Sequence, residues 1–209
     1  MQRSGRLTSR VRTGCLRAMV SFDPFPTLET PRLVLRQIVP EDLAAMFRIQ
    51  SDREVARYFG RPADTTPEQT QKRLDLVLTG VRECTSIRWA LTPRDSGEVV
   101  GTGGFWRWDK QHHWAEIGYE LLPSHWGKGL MPEALAAMIR FGFERMELHR
   151  VEANIAPENV ASRRVLEKLG FVCEGVKREN WFHEGKFTDT PHFGLLRPDF
   201  EKIASLSLQ

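Results

Sequence analysis

The stretch "HWGKGLMPEAL", residues 125–135, decides the fold. Gly127 and Gly129 flank Lys128 as they would in a loop, yet beyond Pro132 the run "EALAAMIRFGFERM" has apolar residues at helical spacing. Upstream, "HWAEIGYELLP" (113–123) reads as a strand. A glycine loop between a strand and a helix is the ordinary place for anion binding in α/β proteins. Glycine accepts positive φ and lets a ligand approach the backbone without meeting a Cβ. The first N–H groups of a helix have no internal partner, and the helix dipole adds positive charge there. A hydrogen bond to a charged group contributes about 1.5–3 kcal/mol. Four of them reach the roughly 8 kcal/mol of micromolar binding if ordering costs stay small. Lys128 adds a point charge beside such a phosphate. Taken alone, the loop reads equally well as a tight turn with no ligand. It is not a nucleotide P-loop, because no Ser or Thr follows Lys128, and the dinucleotide fingerprint fails at Pro132.

Working outward, "RLVLRQI" (32–38) alternates as a strand, and helical spacing follows from Pro40 and again over about 67–83. "SIRWALT" and "EVVGTGGFWRW" read as strands joined by a turn at "PRDSG", with 113–123 as the third strand of a meander. After the helix that follows the glycine loop come a strand at 149–155 and a helix at 157–169 that stops at Gly170. "FVCEGVKREN" and "KFTDTPHFGLLR" close the chain as strands. No repeat and no interdomain linker is visible. The expectation is a single α/β (α+β) domain over residues 19–209, built on a mixed central sheet flanked by helices.

With 209 residues the chain is long enough for one domain with a substantial core. No apolar run approaches the roughly 20 residues of a membrane span. Cys15, Cys84 and Cys173 have neither disulfide nor metal spacing, so no metal site is expected and a reducing cytoplasm is the expected compartment. Residues 1–18 carry five arginines and no acid; without them the formal net charge of +3 becomes −2 for the rest of the chain. That leader is read as a disordered basic extension, with a transit peptide or nucleic-acid arm as alternatives. A mildly acidic body argues against nucleic acid as the partner. The sequence carries no signal for or against a homodimer.

A second constellation lies in "NIAPENVASRRVLEKLGF" (154–171), which places Asn159 and Ser162 on one face near a helix start. Both are also ordinary capping residues. Together with "LETPRLVLRQIVPEDL" and "EIGYELLPSHWGKGLMPEAL", the run "ENVASRRVLEKLGFVCEG" resembles the GNAT-superfamily N-acetyltransferases, in the branch of ribosomal-protein-alanine acetyltransferases. The resemblance covers about residues 28–200. It implies a GNAT-like domain in which the strand "EIGYELL" splays from "RVEANI" and the gap holds acetyl-CoA like an added strand. By the same resemblance Trp126, Gly127, Lys128, Gly129, Leu130 and Met131 hold its diphosphate, and Asn159 and Ser162 meet the pantetheine arm. A backbone N–H near Leu121 or Leu122 polarises the thioester. The family's phosphate motif opens with Gln or Arg and closes with Gly or Ala, where this chain has Trp126 and Met131; only the N–H of Met131 is required.

Transfer of acetyl from a thioester to an amine requires a neutral amine. Near pH 7.5 roughly a third of α-amines are neutral, against roughly one lysine in a thousand. An α-amine therefore needs less help from a base, and the branch resemblance implies a protein N-terminal α-amine as acceptor, reached by direct transfer in a ternary complex; the two arguments agree, but neither selects the acceptor. A small-molecule amine acceptor and a non-catalytic acetyl-CoA-binding module are the alternatives. Glu116 is the candidate general base, with Glu120 on the same strand face as fallback. Ser162 is the candidate partner of the departing thiolate, or else a helix-start serine outside the chemistry. Tyr119 reads as packing with a locally satisfied hydroxyl. Of Trp89, Trp106, Trp108, Trp114 and Trp181, the two most suited to an acceptor groove are Trp106 and Trp181; core packing is the plainer reading of all five.

Overall fold

A computed structural model describes residues 20–183 and 185–206. The basic extension expected at residues 1–18 lies outside the described residues. Strands β1 (Leu28–Glu29), β2 (Leu33–Gln37), β3 (Ile87–Pro93), β4 (Gly101–Asp109), β5 (Trp114–Leu121), β6 (Arg150–Asn154), β7 (Val172–His183) and β8 (Lys186–Leu196) form one sheet. Its order is β1-β2-β3-β4-β5-β6-β8-β7. Only β5 and β6 pair in parallel, across the crossover made by helix α4 (Leu130–Arg145). All other pairs are antiparallel, so the sheet is mixed as expected.

The sheet buries both faces, and strand alternation sorts its side chains between them. On β3, Ile87, Trp89 and Leu91 enter one cluster with Leu135, Met138 and Ile139 of α4 and Leu166 of α5 (Val160–Lys168). Ala90 turns to the other face and joins Met46 and Ile49 of α1 (Leu43–Gln50), Val55 of α2 (Arg53–Ala56) and Leu74 of α3 (Pro67–Arg82). Each fully buried leucine, isoleucine or methionine among them stabilises the fold by about 1.5–3 kcal/mol relative to exposure. Trp89 is buried with them, its Nε1 donating to the Pro26 carbonyl at 2.7 Å, which removes it from any acceptor groove.

Three elements go beyond the sequence reading. β1 and α2 are too short to show a period. The last helix, α6 (Arg197–Leu206), begins where a strand was read to end: Pro198 and Asp199 stand in its first turn, a helix-start signal that the apolar run before it masked.

Candidate active site

β5 and β6 pair from Trp114↔Arg150 to Glu116↔Glu152 and no further. β5 continues to Leu121 and β6 to Asn154, so the two strands part just beyond Glu116. A cavity of about 740 Å³ fills the opening, lined by residues of α2, β3, β4, β5, β6, α4 and α5 and by the loops before α3 and α4. That volume lies within the range of small-ligand sites.

At one end is the glycine loop. Gly129 is the N-cap of α4 with φ 73°, and Gly127 has φ 71°. Both lie in the left-handed region, which a side chain enters only with strain. A Cβ on Gly127 would meet nothing within 4 Å, which leaves its backbone open to a ligand. Leu130 and Met131 open the helix, and Pro132 sits in the first turn, where a missing N–H costs no helical hydrogen bond. Gly127, Gly129, Leu130 and Met131 all line the cavity, as does Trp126, whose Nε1 closes the turn by donating to the Leu121 carbonyl at 2.7 Å. Lys128 corrects the expectation: its side chain is exposed and off the cavity wall, and its carbonyl accepts from Arg32 Nη1 at 2.7 Å. Leu122 is a second correction. Its N–H donates to the Val100 carbonyl at 2.9 Å and its side chain packs with the α1–α3 cluster, so it has no amide to offer a thioester. Leu121 remains in the lining.

The middle of the cavity is set by α5. Asn159 caps the helix, its Oδ1 accepting the Ser162 N–H at 2.9 Å, and both residues line the cavity. The capping reading of Asn159 is thus fulfilled in a residue that also faces the opening. Ser162 Oγ and the Tyr119 hydroxyl are 2.6 Å apart. Burial pushes the Tyr119 hydroxyl up to about 12, against a smaller opposing effect of the Ser162 hydrogen bond. At neutral pH the phenol therefore keeps its proton.

On the other face of β5, Glu116, Gly118 and Glu120 share a row with Trp106, the β4 partner of Glu116. Period-two alternation would send Arg107 to the opposite face. Instead β4 is bulged between Trp106 and Asp109, and Arg107 takes φ 48°. The bulge re-aims its guanidinium to lie 4.5 Å over the Trp106 ring and 3.2 Å from Glu116 Oε2. Glu120 is buried, and its Oε1 receives Gln50 Nε2 at 2.5 Å, Thr102 Oγ1 at 2.8 Å and Arg88 Nη2 at 3.3 Å. Arg61 donates to Gln50 and to Asp64, extending the network along the wall. Trp106 lines the cavity; Trp181 does not, but its Nε1 donates at 3.3 Å to the carbonyl of Gly60, in the loop that carries Phe59 and Arg61 into the lining.

The arginines of this face went unread in the sequence. Nothing local marks Arg88 or Arg107, whose partners lie on other strands or are reached through a bulge, and Arg61, with Asp64 three residues on, stands in a loop that has no periodicity to read. Tyr119 stood inside a quoted motif, but a phenol's partner on another element has no sequence signature. Among the described residues no group of His, Cys, Asp and Glu is placed to hold a metal ion, and no helix is long and apolar enough to cross a membrane.

Comparison with known proteins agrees with this geometry. Residues 32–172 match the acetyltransferase (GNAT) domain family. An uncharacterised N-acetyltransferase of Bacillus subtilis, YoaA, is 38% identical over 174 residues, covering 83% of this chain and 98% of that protein. The [ribosomal protein uS5]-alanine N-acetyltransferase of Escherichia coli is 28% identical over 185 residues, 85% of this chain and 94% of its own. In fold, the chain is similar to a spermidine N-acetyltransferase of Vibrio cholerae solved with CoA and spermine, with a TM-score of 0.72 at 21% identity, over 82% of this chain and 98% of that one. The chain belongs to the GNAT acetyltransferase family. It is an N-acetyltransferase, and its cosubstrate is acetyl-CoA.

Proposed function

We propose that the acceptor is the α-amine of a protein N-terminus, acetylated directly in a ternary complex. The observation that carries this is the charge state of the acceptor face. Its two cavity-lining carboxylates, Glu116 and Glu120, are each paired with an arginine, Arg107 and Arg88, and Arg61 stands beside them. A polycationic amine needs surplus negative charge, and this wall has none to offer. A peptide N-terminus brings one titratable amine followed by carbonyls that guanidinium groups can bind. The α-amine is also the acceptor least dependent on a strong base. The relative acting on a ribosomal protein's alanine supports the same reading.

In this reading the amides of Gly127, Gly129, Leu130 and Met131 cradle the diphosphate, with Trp126 and Leu121 shaping the turn. Asn159 and Ser162 flank the pantetheine arm. Acetyl-CoA bound there supplies the thioester carbonyl that the amine attacks. Glu116 accepts the proton leaving the amine, directly or through one water, on the carboxylate oxygen that Arg107 does not hold. Ser162, whose Oγ is paired with the Tyr119 phenol, donates a hydrogen bond to the departing sulfur. Neither hydroxyl of the pair is the proton source; the thiolate, steadied by that hydrogen bond as it departs, takes its proton from water. A thiol titrates near 8.5, so moving the phenol's proton from about 12 onto a thiolate is uphill by about 5 kcal/mol. Cys84 and Cys173 lie off the cavity, consistent with direct transfer. The half-exposed Trp106, with the Arg107 guanidinium over its ring, offers a platform for the first residues of the acceptor, with Trp181 at the rim.

Thiol release from acetyl-CoA should be measured with N-terminal peptides, N-terminally blocked lysine peptides and spermidine as acceptors. The expected result is turnover with free N-termini at least tenfold above the others in kcat/KM. Spermidine as the best substrate would overturn the acceptor, and acetyl-CoA binding with no release on any amine would overturn catalysis.

A further inference from the structure

Arg32 stands in the turn between β1 and β2, far in sequence from the glycine loop and outside the cavity lining, yet it is fastened to that loop at several points. Its Nη1 donates to the Lys128 carbonyl at 2.7 Å, and its Nε donates to Glu133 Oε2 at 2.7 Å. Its backbone N–H reaches Glu133 Oε1 at 2.9 Å, where Thr30 Oγ1 also donates at 2.6 Å. A Cβ built on Gly129 would lie 3.5 Å from Arg32 Nη2, so the guanidinium backs directly onto the loop.

Two consequences follow from elementary geometry and charge. A trans peptide points its C=O and N–H in opposite directions. With the Lys128 carbonyl held on the Arg32 side, the N–H of the same peptide, that of Gly129, is directed to the cavity side. Glu133, meanwhile, is the acidic residue in the first turn of α4, and uncompensated it would repel an anion at that helix end. Burial alone would raise its carboxyl, but the hydrogen bonds from Thr30 and Arg32 outweigh this and hold it below the usual range.

We propose that Arg32 is a positioning residue for the cosubstrate's diphosphate: it turns the Gly129 N–H into the cavity and cancels the Glu133 carboxylate in the first turn of α4. This rests on the reading of the glycine loop as the diphosphate cradle.

The test compares two ligands that differ in the diphosphate. CoA binding is measured by calorimetry, and thiol release is measured with S-acetylpantetheine, which ends before the diphosphate, on any accepted amine. Arg32→Ala should weaken CoA at least about tenfold, the scale of one lost charged hydrogen bond, and leave kcat/KM for S-acetylpantetheine unchanged. Adding Glu133→Gln to Arg32→Ala should recover part of the loss, because the uncancelled charge goes with it. Arg32→Gln, run in parallel in case the alanine variant folds poorly, should show the same selectivity. Equal losses with both ligands would reduce Arg32 to a fold support, and unchanged CoA affinity would remove it altogether. Gly129→Val separates the premises: if it leaves CoA affinity intact the loop itself is not the cradle, whereas its loss alongside an inert Arg32→Ala would sink only the role of Arg32.

Discussion

The two ends of the cavity are built by different means. The donor end, which we assign to the cosubstrate, is one short run, Trp126–Met131, that works mostly through its backbone: two left-handed glycines and the first amides of α4, with a tryptophan side chain closing the turn. The end we assign to the acceptor is a set of side chains from separate elements: Arg61, Arg88, Trp106, Glu116 and Glu120 line the cavity, while Gln50, Thr102 and Arg107 hold the two carboxylates from outside the lining. A backbone site tolerates change in the side chains it carries, provided the φ values and the amides survive. A side-chain site depends on every partner being held at hydrogen-bond distance. The chain therefore advertises its cosubstrate more plainly than its acceptor.

That contrast breaks most sharply at Gly129. Valine there must adopt a φ near 73°, a strain of order 1–3 kcal/mol for any side chain and worse for a β-branched one, and its Cβ would come into contact with Arg32. The loop should respond by moving its amides. Gly129→Val is expected to weaken acetyl-CoA binding by more than about a hundredfold in calorimetry, several charged hydrogen bonds being lost together. The circular dichroism spectrum should change little, since the glycine lies outside the core. Retained affinity would mean that the donor end does not rest on these amides.

The next effect belongs to the acceptor end. Glu116→Gln keeps the shape beside Arg107 and removes the proton acceptor. A positioned base contributes typically 10²–10⁴-fold, and the low end suits an amine that is partly neutral already. We expect kcat to fall about a hundredfold at pH 7 with CoA affinity unchanged. The sign of the pH dependence is fixed by the amine: above its pKa of about 8 the neutral form dominates, so the deficit should shrink by pH 9. A constant deficit across that range would assign Glu116 a structural role with Arg107, and wild-type rates would leave the fallback, Glu120. Its Oε1 is already held by three donors, a poor arrangement for a base that must move a proton freely.

The same contrast explains what was legible in the sequence. The order of the long elements and the strand–loop–helix at residues 113–145 follow from periodicity and from glycines that only a special backbone needs, whereas the parting of β5 and β6 was expected only through the resemblance of contiguous motifs to the GNAT family. Leu122 was misplaced because a residue's identity does not say which way its amide turns, here toward Val100, and Lys128 because it does not say where a long exposed side chain is carried, here off the cavity wall. Arg107 was unreadable for another reason. The alternation rule puts it on the wrong face, and only the bulge at positive φ brings it to Glu116. Strain of that kind is stored where other contacts over-determine it, and here the Trp106 ring and the Glu116 carboxylate do so.

The smallest expected effect tests the seam between the two ends, where β5 meets α5. Tyr119→Phe keeps the ring and deletes the hydroxyl that sits 2.6 Å from Ser162 Oγ. If the phenol only orients Ser162, the loss is that of one neutral hydrogen bond, about 1 kcal/mol, or roughly fivefold in kcat. The double variant Tyr119→Phe, Ser162→Ala should then be no slower than Ser162→Ala alone, since both act through one oxygen. Because burial holds the phenol at about 12, the wild-type pH–rate profile should show no alkaline limb from this residue below about pH 11. A hundredfold loss in Tyr119→Phe, or a limb near pH 9 that disappears with it, would instead make the tyrosine the proton donor to sulfur. The hydroxyl pair would then carry chemistry rather than geometry, and the division between a backbone-built donor end and a side-chain-built acceptor end would have to be redrawn through Tyr119.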